Sequence, residues 1–374
     1  MNDDPTATRY HRVELLLGAA GLVVSAAFLA TAVATGAGPA LARTAAQVSA
    51  ARWWQVAFVT AALGTAHALL VFPLRCVRGF LVPRRFGLLH QPFTAWLGDR
   101  LKATVLSGAL ALLVIEAIEA LLAAMALWWL VAAAFVVVLS VVAATIFPVW
   151  ILPLFYRLAP LGDAGLRDRL LALAGRAGVP AAGVFVVDHS RKSRTANAAL
   201  TGLGRTRRIV LFDTVVSEFR PEEIESVLAH ELGHHVHQDL WRSLAAQGAL
   251  TLLTLWVTDV ILRATAGSLA PDVPGDPAGI PWLVAILGGL GLVAVPLANL
   301  FSRWIEREAD DFALAITGNP GAFIAAMERL ARLNLARMNP TRLEEVMLYS
   351  HPAVGRRIAR ARRSAAALSP AAGG

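Results

Sequence analysis

The sequence predicts a mostly α polytopic membrane protein, with about six transmembrane helices and an α+β domain built from a small β-sheet and a His-Glu-x-x-His helix. Three observations predict it. The 374 residues have a mean hydropathy of +0.59 with only 16% charged residues, too apolar for an ordinary soluble globule. The apolar residues gather in runs of about twenty, enough to cross a bilayer core at about 1.5 Å per residue. Between the fourth and fifth runs the composition shifts to that of a soluble domain.

The first run covers residues 15–35. Ala40, Leu41 and Ala42 follow it like a small-residue cleavage site, but secretory apolar cores run about 7–15 residues, so a retained span is expected. The second run, 53–73, opens on Trp53 and Trp54, a pair suited to a membrane interface. Arg75, Arg78, Arg84, Arg85, Arg100 and Lys102 then crowd one loop, which the positive-inside rule assigns to the cytoplasm. Residues 103–148 make two spans, with the turn expected near 116–124, where Glu116 and Glu119 interrupt the apolar run. Two more spans are expected at 245–262 and 282–301. The expected units are four spans over 1–150, an α+β metal-binding domain over 151–243, two spans over 244–302 and a helical tail over 303–374. This count puts the N-terminus, the central domain and the tail on the cytoplasmic side.

Within the soluble part, 166–177 reads as an amphipathic helix. Residues 184–188, 196–201 and 208–212 read as short strands, with a turn over 202–205 between the last two. The net charge of +8 belongs to loops flanking the membrane rather than to an aromatic and basic nucleic-acid motif, so a lipid bilayer is the expected partner and nucleic acid is not. The lone Cys76 can form no internal disulfide, which leaves histidine and carboxylate for any metal chemistry. His67 and Asp259 fall within apolar runs; each either lines a polar cavity or is hydrogen-bonded at a helix interface.

The chemistry centres on PEEIESVLAHELGHHVHQD, residues 221–239. Pro221 suits a first helical position, Glu222 and Glu223 complement the positive end of the dipole, and Ile224, Val227, Leu228 and Leu232 form an apolar stripe at helical spacing. His230 and His234, four apart, then share a face and can share one metal ion, with Glu231 beside them as a proton acceptor. Gly233 costs about 1 kcal/mol of helix propensity, which implies a close approach to its backbone. His235 is turned off the metal face and His237 lies too far along; both read as structural or solvent-exposed. A third metal ligand is sought in SRWIEREADDFALAITG, where Glu306 and Asp310 share one helical face and Glu308 points elsewhere. On spacing alone, a solvated face with i,i+4 charges fits that segment equally well.

FGLLHQPFTAWLGDRLK, PLFYRLAPL, NAALTGLGRTRRIVLFDTVV, HELGH, SRWIEREADDFA and SHPAVGRRI occur in this order along the chain. In that order they resemble the integral-membrane zinc metallopeptidases of the type I CAAX prenyl endopeptidase, a-factor-converting, family. The resemblance implies a zinc metalloendopeptidase with one Zn2+ per chain, held by His230, His234 and Glu306, with Glu231 as general base and acid and Asp310 bonded to a ligand histidine. It also implies that Asn197 and Ala198 pair with an extended peptide or membrane-protein substrate, and that His351 and Arg357 stand at the substrate carbonyl or brace the site. Six spans, where longer eukaryotic members generally have seven, suggest a short bacterial relative in the inner membrane. The shorter heat-shock membrane protease of bacteria shares HELGH but typically has four spans. A non-proteolytic zinc-binding scaffold or sensor would have no need of Glu231.

Overall fold

The computed structural model describes residues 4–202 and 207–368. Among the described residues, six helices are long and apolar enough to cross a membrane. They are α1 (Pro5–Ala34), α3 (Arg52–Cys76, continued by a π-helical turn Val77–Leu81 and the short α4, Val82–Arg85), α5 (Phe93–Ala124), α6 (Trp128–Ile146), α10 (Asp239–Ala264) and α11 (Ile280–Thr317). Their outer faces are apolar and exposed, as at Leu69, Val105 and Leu130, the surface lipid would cover. A short helix α2 (Ala37–Val48), which the sequence reading did not foresee, follows the first span and takes in Ala40, Leu41 and Ala42.

The turn expected near Glu116 and Glu119 lies elsewhere. Helix α5 runs unbroken through both acids to Ala124, and the chain reverses at residues 125–127. An acidic side chain does not break a helix if the fold gives it somewhere to go: Glu119 is buried, 4.0 Å from the Arg52 guanidinium and against a cavity of about 550 Å³. His67 belongs to a helix interface, its Nε2 2.9 Å from Ser25 Oγ on α1. Asp259 is hydrogen-bonded and also lines that cavity, accepting from Trp128 Nε1 at 2.7 Å and Arg263 Nε at 2.9 Å.

The soluble part is a four-stranded mixed sheet, in the order β1 (Leu158–Pro160), β2 (Val184–Val187), β4 (Arg208–Phe212), β3 (Ala198–Thr201). β2 and β4 are parallel; β3 pairs antiparallel with β4, with Ala198 opposite Leu211. β3 is therefore an edge. The turn expected over 202–205 lies, beyond Gly202, outside the described residues. Helix α7 (Ala164–Arg176) starts on Asp163, whose side chain accepts from the Leu166 N–H, and buries Leu166, Leu170 and Leu173. Helices α8 (Asp213–Glu218) and α9 (Pro221–Val236) follow β4. The tail forms α12 (Pro320–Asn334), α13 (Arg342–Leu348) and α14 (Val354–Leu368).

Helix α7, the sheet and α9 share one core with the C-terminal part of α11, α12 and α14, which lie far from them in sequence. Leu170, Ile209, Leu211, Leu228 and Leu232 pack in it with Leu314, Phe323 and Ile358. Buried Glu223 ties the two halves further, its Oε2 accepting from Arg329 Nε of α12 at 2.9 Å.

Candidate metal centre

Helix α9 forms where its sequence asks for one, with Pro221 at its first turn and the Glu223 side chain accepting from the Arg220 N–H at 3.0 Å. It crosses the charged C-terminal part of α11 at Gly233. A Cβ on Gly233 would stand 3.0 Å from Ala309 Cα and 3.2 Å from Ala309 O, so the two backbones meet in the space that glycine leaves. Ala309 lies between Glu306 and Asp310 on α11, so this crossing brings both carboxylates against the two histidines.

His230, His234 and Glu306 each offer one ligand atom, and the three atoms lie within 4.8 Å of one another. The two Nε2 atoms are 3.2 Å apart, and Glu306 Oε2 approaches His230 Nε2 to 3.2 Å. Each outer nitrogen faces a carboxylate: His230 Nδ1 lies 2.9 Å from Asp310 Oδ1 and His234 Nδ1 lies 2.9 Å from Asp239 Oδ2. A carboxylate only accepts, so each Nδ1 carries a proton and each Nε2 can turn a lone pair inward. Glu306 Oε2 is buried with no aligned hydrogen-bond donor. Two imidazole lone pairs and one unsatisfied carboxylate oxygen make a donor set that fits a divalent metal ion such as zinc.

Charge around this cluster is balanced by neighbours. Burial disfavours a charged His230, but Asp310 and Glu306 outweigh it and lift the imidazole to about 9 in the metal-free protein. Glu231 is half-buried, and its carboxylate has no hydrogen-bond partner among the described residues. Loss of water raises its pKa; His230 and His234 draw it back, while Glu306 adds to the rise. Arg357, on α14, spends its guanidinium on Asp310, with Nε 2.9 Å from Oδ2 and a terminal nitrogen 2.6 Å from Oδ1. That nitrogen is also 3.4 Å from His230 Nδ1, behind the ligand. His351 is different: its side chain is 59% exposed at the mouth of the site, with Nε2 3.1 Å from Glu306 Oε1.

The other expectations sort themselves by geometry. Glu308 is away from the cluster and pairs with Arg242. His235 Nε2 lies 3.2 Å from the Leu200 carbonyl, and His237 caps α9 edge-on to Phe312; neither joins the metal group. Asn197 and Ala198 stand at the start of the edge strand, where the Asn197 side chain accepts from the Ala198 N–H at 2.9 Å. Asp239 was missed as a partner of His234. Its signal was present, an acid five residues beyond the second histidine, but five residues is off the helical face; α9 ends and α10 begins between them, and that bend brings Asp239 back.

Fold and site together define a class: a protein with several candidate membrane spans whose soluble part carries a His-His-Glu group able to hold a metal ion. The comparisons name the family. Residues 160–365 match the model of Peptidase family M48, and residues 5–157 match the model of the CAAX prenyl protease N-terminal region. That second model is described as five membrane helices; here the region holds four of the six candidate spans and the short α2. The chain is 32% identical over 240 residues to an uncharacterized metalloprotease, YhfN, of Bacillus subtilis, covering 63% of this chain and 56% of that protein. It is 32% identical to a CAAX prenyl protease 1 homolog of Arabidopsis thaliana (76% of this chain, 68% of that one) and 31% identical to CAAX prenyl protease 1 of Saccharomyces cerevisiae (79% and 69%). The crystal structure of S. mikatae Ste24p superposes with a TM-score of 0.81 at 26% identity, over 96% of this chain and 88% of that one. The chain belongs to Peptidase family M48, among its CAAX prenyl protease members, and is a membrane metalloprotease.

Proposed function

We propose that the chain is a zinc metalloendopeptidase that cuts an extended peptide laid along β3. The observation that carries this is a free Glu231 carboxylate beside three converging metal ligands. Zinc held by His230, His234 and Glu306 would act as a Lewis acid and lower the pKa of a water molecule from 15.7 towards about 7.

Glu231 then takes the proton of the attacking water and returns it to the leaving amine. His351 is exposed and close to Glu306, and would donate to the substrate carbonyl as negative charge develops there; one such donor is typically worth roughly 3–4 kcal/mol. Arg357 turns Nε and one terminal nitrogen to Asp310, which supports a role in positioning His230 through that carboxylate. The open edge of β3 offers main-chain hydrogen bonds to a substrate strand once Asn197 releases the Ala198 N–H.

The metal face would look onto the cytoplasm, since the basic stretch 75–102, from the end of α3 to the start of α5, meets the same domain: Lys192 pairs with Asp99, and the His90 N–H donates to the Lys192 carbonyl. Relatives carry the name CAAX prenyl protease. The chemistry here requires only an extended segment of a peptide or membrane protein, with no prenyl group. The test is cleavage of a fluorogenic peptide by the purified protein. Chelator should abolish it, zinc should restore it, and Glu231→Gln should bind zinc normally yet turn over about a hundredfold to ten-thousandfold more slowly. Wild-type turnover by Glu231→Gln would sink the reading.

A further inference from the structure

On the far side of Asp310 from the metal ligands, α11, α13 and α14 enclose a cavity of about 340 Å³ lined by seven arginines against two carboxylates, Asp310 and Glu345. Most of these charges are already used. Arg357 holds Asp310, Arg356 pairs with Glu345, Arg360 with Asp311, and Arg303 donates to the Glu345 and Tyr349 carbonyls at 2.8 and 2.6 Å. Arg307, Arg342 and Arg363 form no hydrogen bond or ion pair among the described residues, yet all three line this one hollow. Like charges left side by side repel, so such a cluster is at ease only when an anion joins it.

A second feature says which anion. Leu300 and Val346 are part of the cavity wall, and both are exposed, at 57% and 45%. They continue into exposed Leu297 on α11 and Leu343 and Met347 on α13. The apolar stretch of α11 becomes charged at Arg303, so the hollow opens at the level where a membrane's hydrocarbon meets water. A soluble anion has no use for an apolar track beside its charges, whereas a phospholipid has one end for each.

We propose that this cavity binds the phosphate headgroup of an anionic phospholipid from the leaflet on the metal side. Arg307, Arg342 and Arg363 hold the phosphate oxygens, and the acyl chains lie along Leu297, Leu300, Val346 and Met347. Guanidinium groups suit phosphate because their planar N–H pairs match its oxygens.

The experiment uses the full chain, purified in detergent or reconstituted in nanodiscs, with native mass spectrometry and thermal melting as readouts. Palmitoyl-oleoyl phosphatidylglycerol, the corresponding phosphatidylcholine and inorganic phosphate are compared as ligands. Wild type should retain a single phosphatidylglycerol and melt higher with it than with phosphatidylcholine. Arg307→Gln with Arg342→Gln and Arg363→Gln should lower retention about tenfold to a hundredfold while metal content stays the same. A control of equal charge change, Arg167→Gln with Arg176→Gln and Arg332→Gln, should retain the lipid. Should the triple variant fold poorly, Arg342→Glu alone, on an exposed helix position, must still weaken retention. Equal retention of both lipids, or full retention by the cavity variants, overturns the proposal. Inorganic phosphate or an acidic peptide that displaces the lipid and raises the melting point as much would also overturn it, by making the site one for a soluble anion or a protein.

Discussion

Ala309 Cα lies 3.0 Å from the point where a Cβ on Gly233 would stand. This contact sets the distance between the helix that supplies both histidines and the one that supplies Glu306 and Asp310. A Cβ there requires the two helices to give by a few tenths of an ångström, because the two nearest opposing atoms are backbone and cannot rotate away.

Gly233→Ala is therefore expected to push α9 and α11 apart and draw Glu306 away from the two histidines. Zinc affinity should fall by about tenfold or more, while the far-ultraviolet circular dichroism of the spans is kept. Metal analysis of the purified variant checks it, and normal zinc content would show that the crossing has slack.

On the proposed assignment, Glu306→Ala removes a metal ligand and leaves the base in place. Zinc and proteolysis should be lost together, in contrast to Glu231→Gln, and equilibrium dialysis alongside the peptide assay separates the two.

The carboxylates behind the histidines make a milder case. Asp239→Asn and Asp310→Asn weaken the acceptor that keeps a proton on Nδ1 of His234 and His230. Each should cost about tenfold to a hundredfold in metal affinity, measured by competition with a chromogenic chelator.

His351 and Arg357 should separate cleanly. His351→Ala is expected to lower kcat about a hundredfold to a thousandfold with zinc retained. Arg357→Ala strands the buried Asp310 carboxylate; it should destabilise the fold by roughly 3–5 kcal/mol and cost metal as well. Retained stability in Arg357→Ala, read by thermal melting, would contradict the bracing role.

Proton linkage follows from His230. In the metal-free protein its pKa is raised to about 9, from an unfolded value of 6.5. The stabilisation from its charged form is fully present below pH 6.5 and is lost as pH rises through 9. The metal-free protein should thus melt at falling temperature between pH 6.5 and 9. Zinc needs the unprotonated Nε2, so binding at pH 7.5 should release about one proton from this residue. Calorimetry in buffers of different ionisation enthalpy measures that release.

Much of this was legible in the sequence because it is local. Span lengths follow from runs of apolar residues, and the shared face of His230 and His234, like that of Glu306 and Asp310, follows from the 3.6-residue helical turn. Even Gly233 announced a close neighbour, since a glycine inside a helix lowers stability unless it makes room. A misjudged turn marks the limit: Glu116 and Glu119 looked like a break, but whether an acid ends a span depends on what it meets, and Arg52 and the nearby cavity lie far away in sequence.

What the sequence by itself determined is the existence of the long apolar spans and of the His-Glu-x-x-His helix, and the residue types each carries on each face; it did not fix α2 or where α5 ends. Which faces meet was decided only by the tertiary structure. Arg357 turning to Asp310, Asp239 returning to His234, and the arginines of α11, α13 and α14 gathering in one hollow all depend on helix crossings. Those crossings come from a core that residues from both halves of the chain fill together, and helical periodicity carries no information about them.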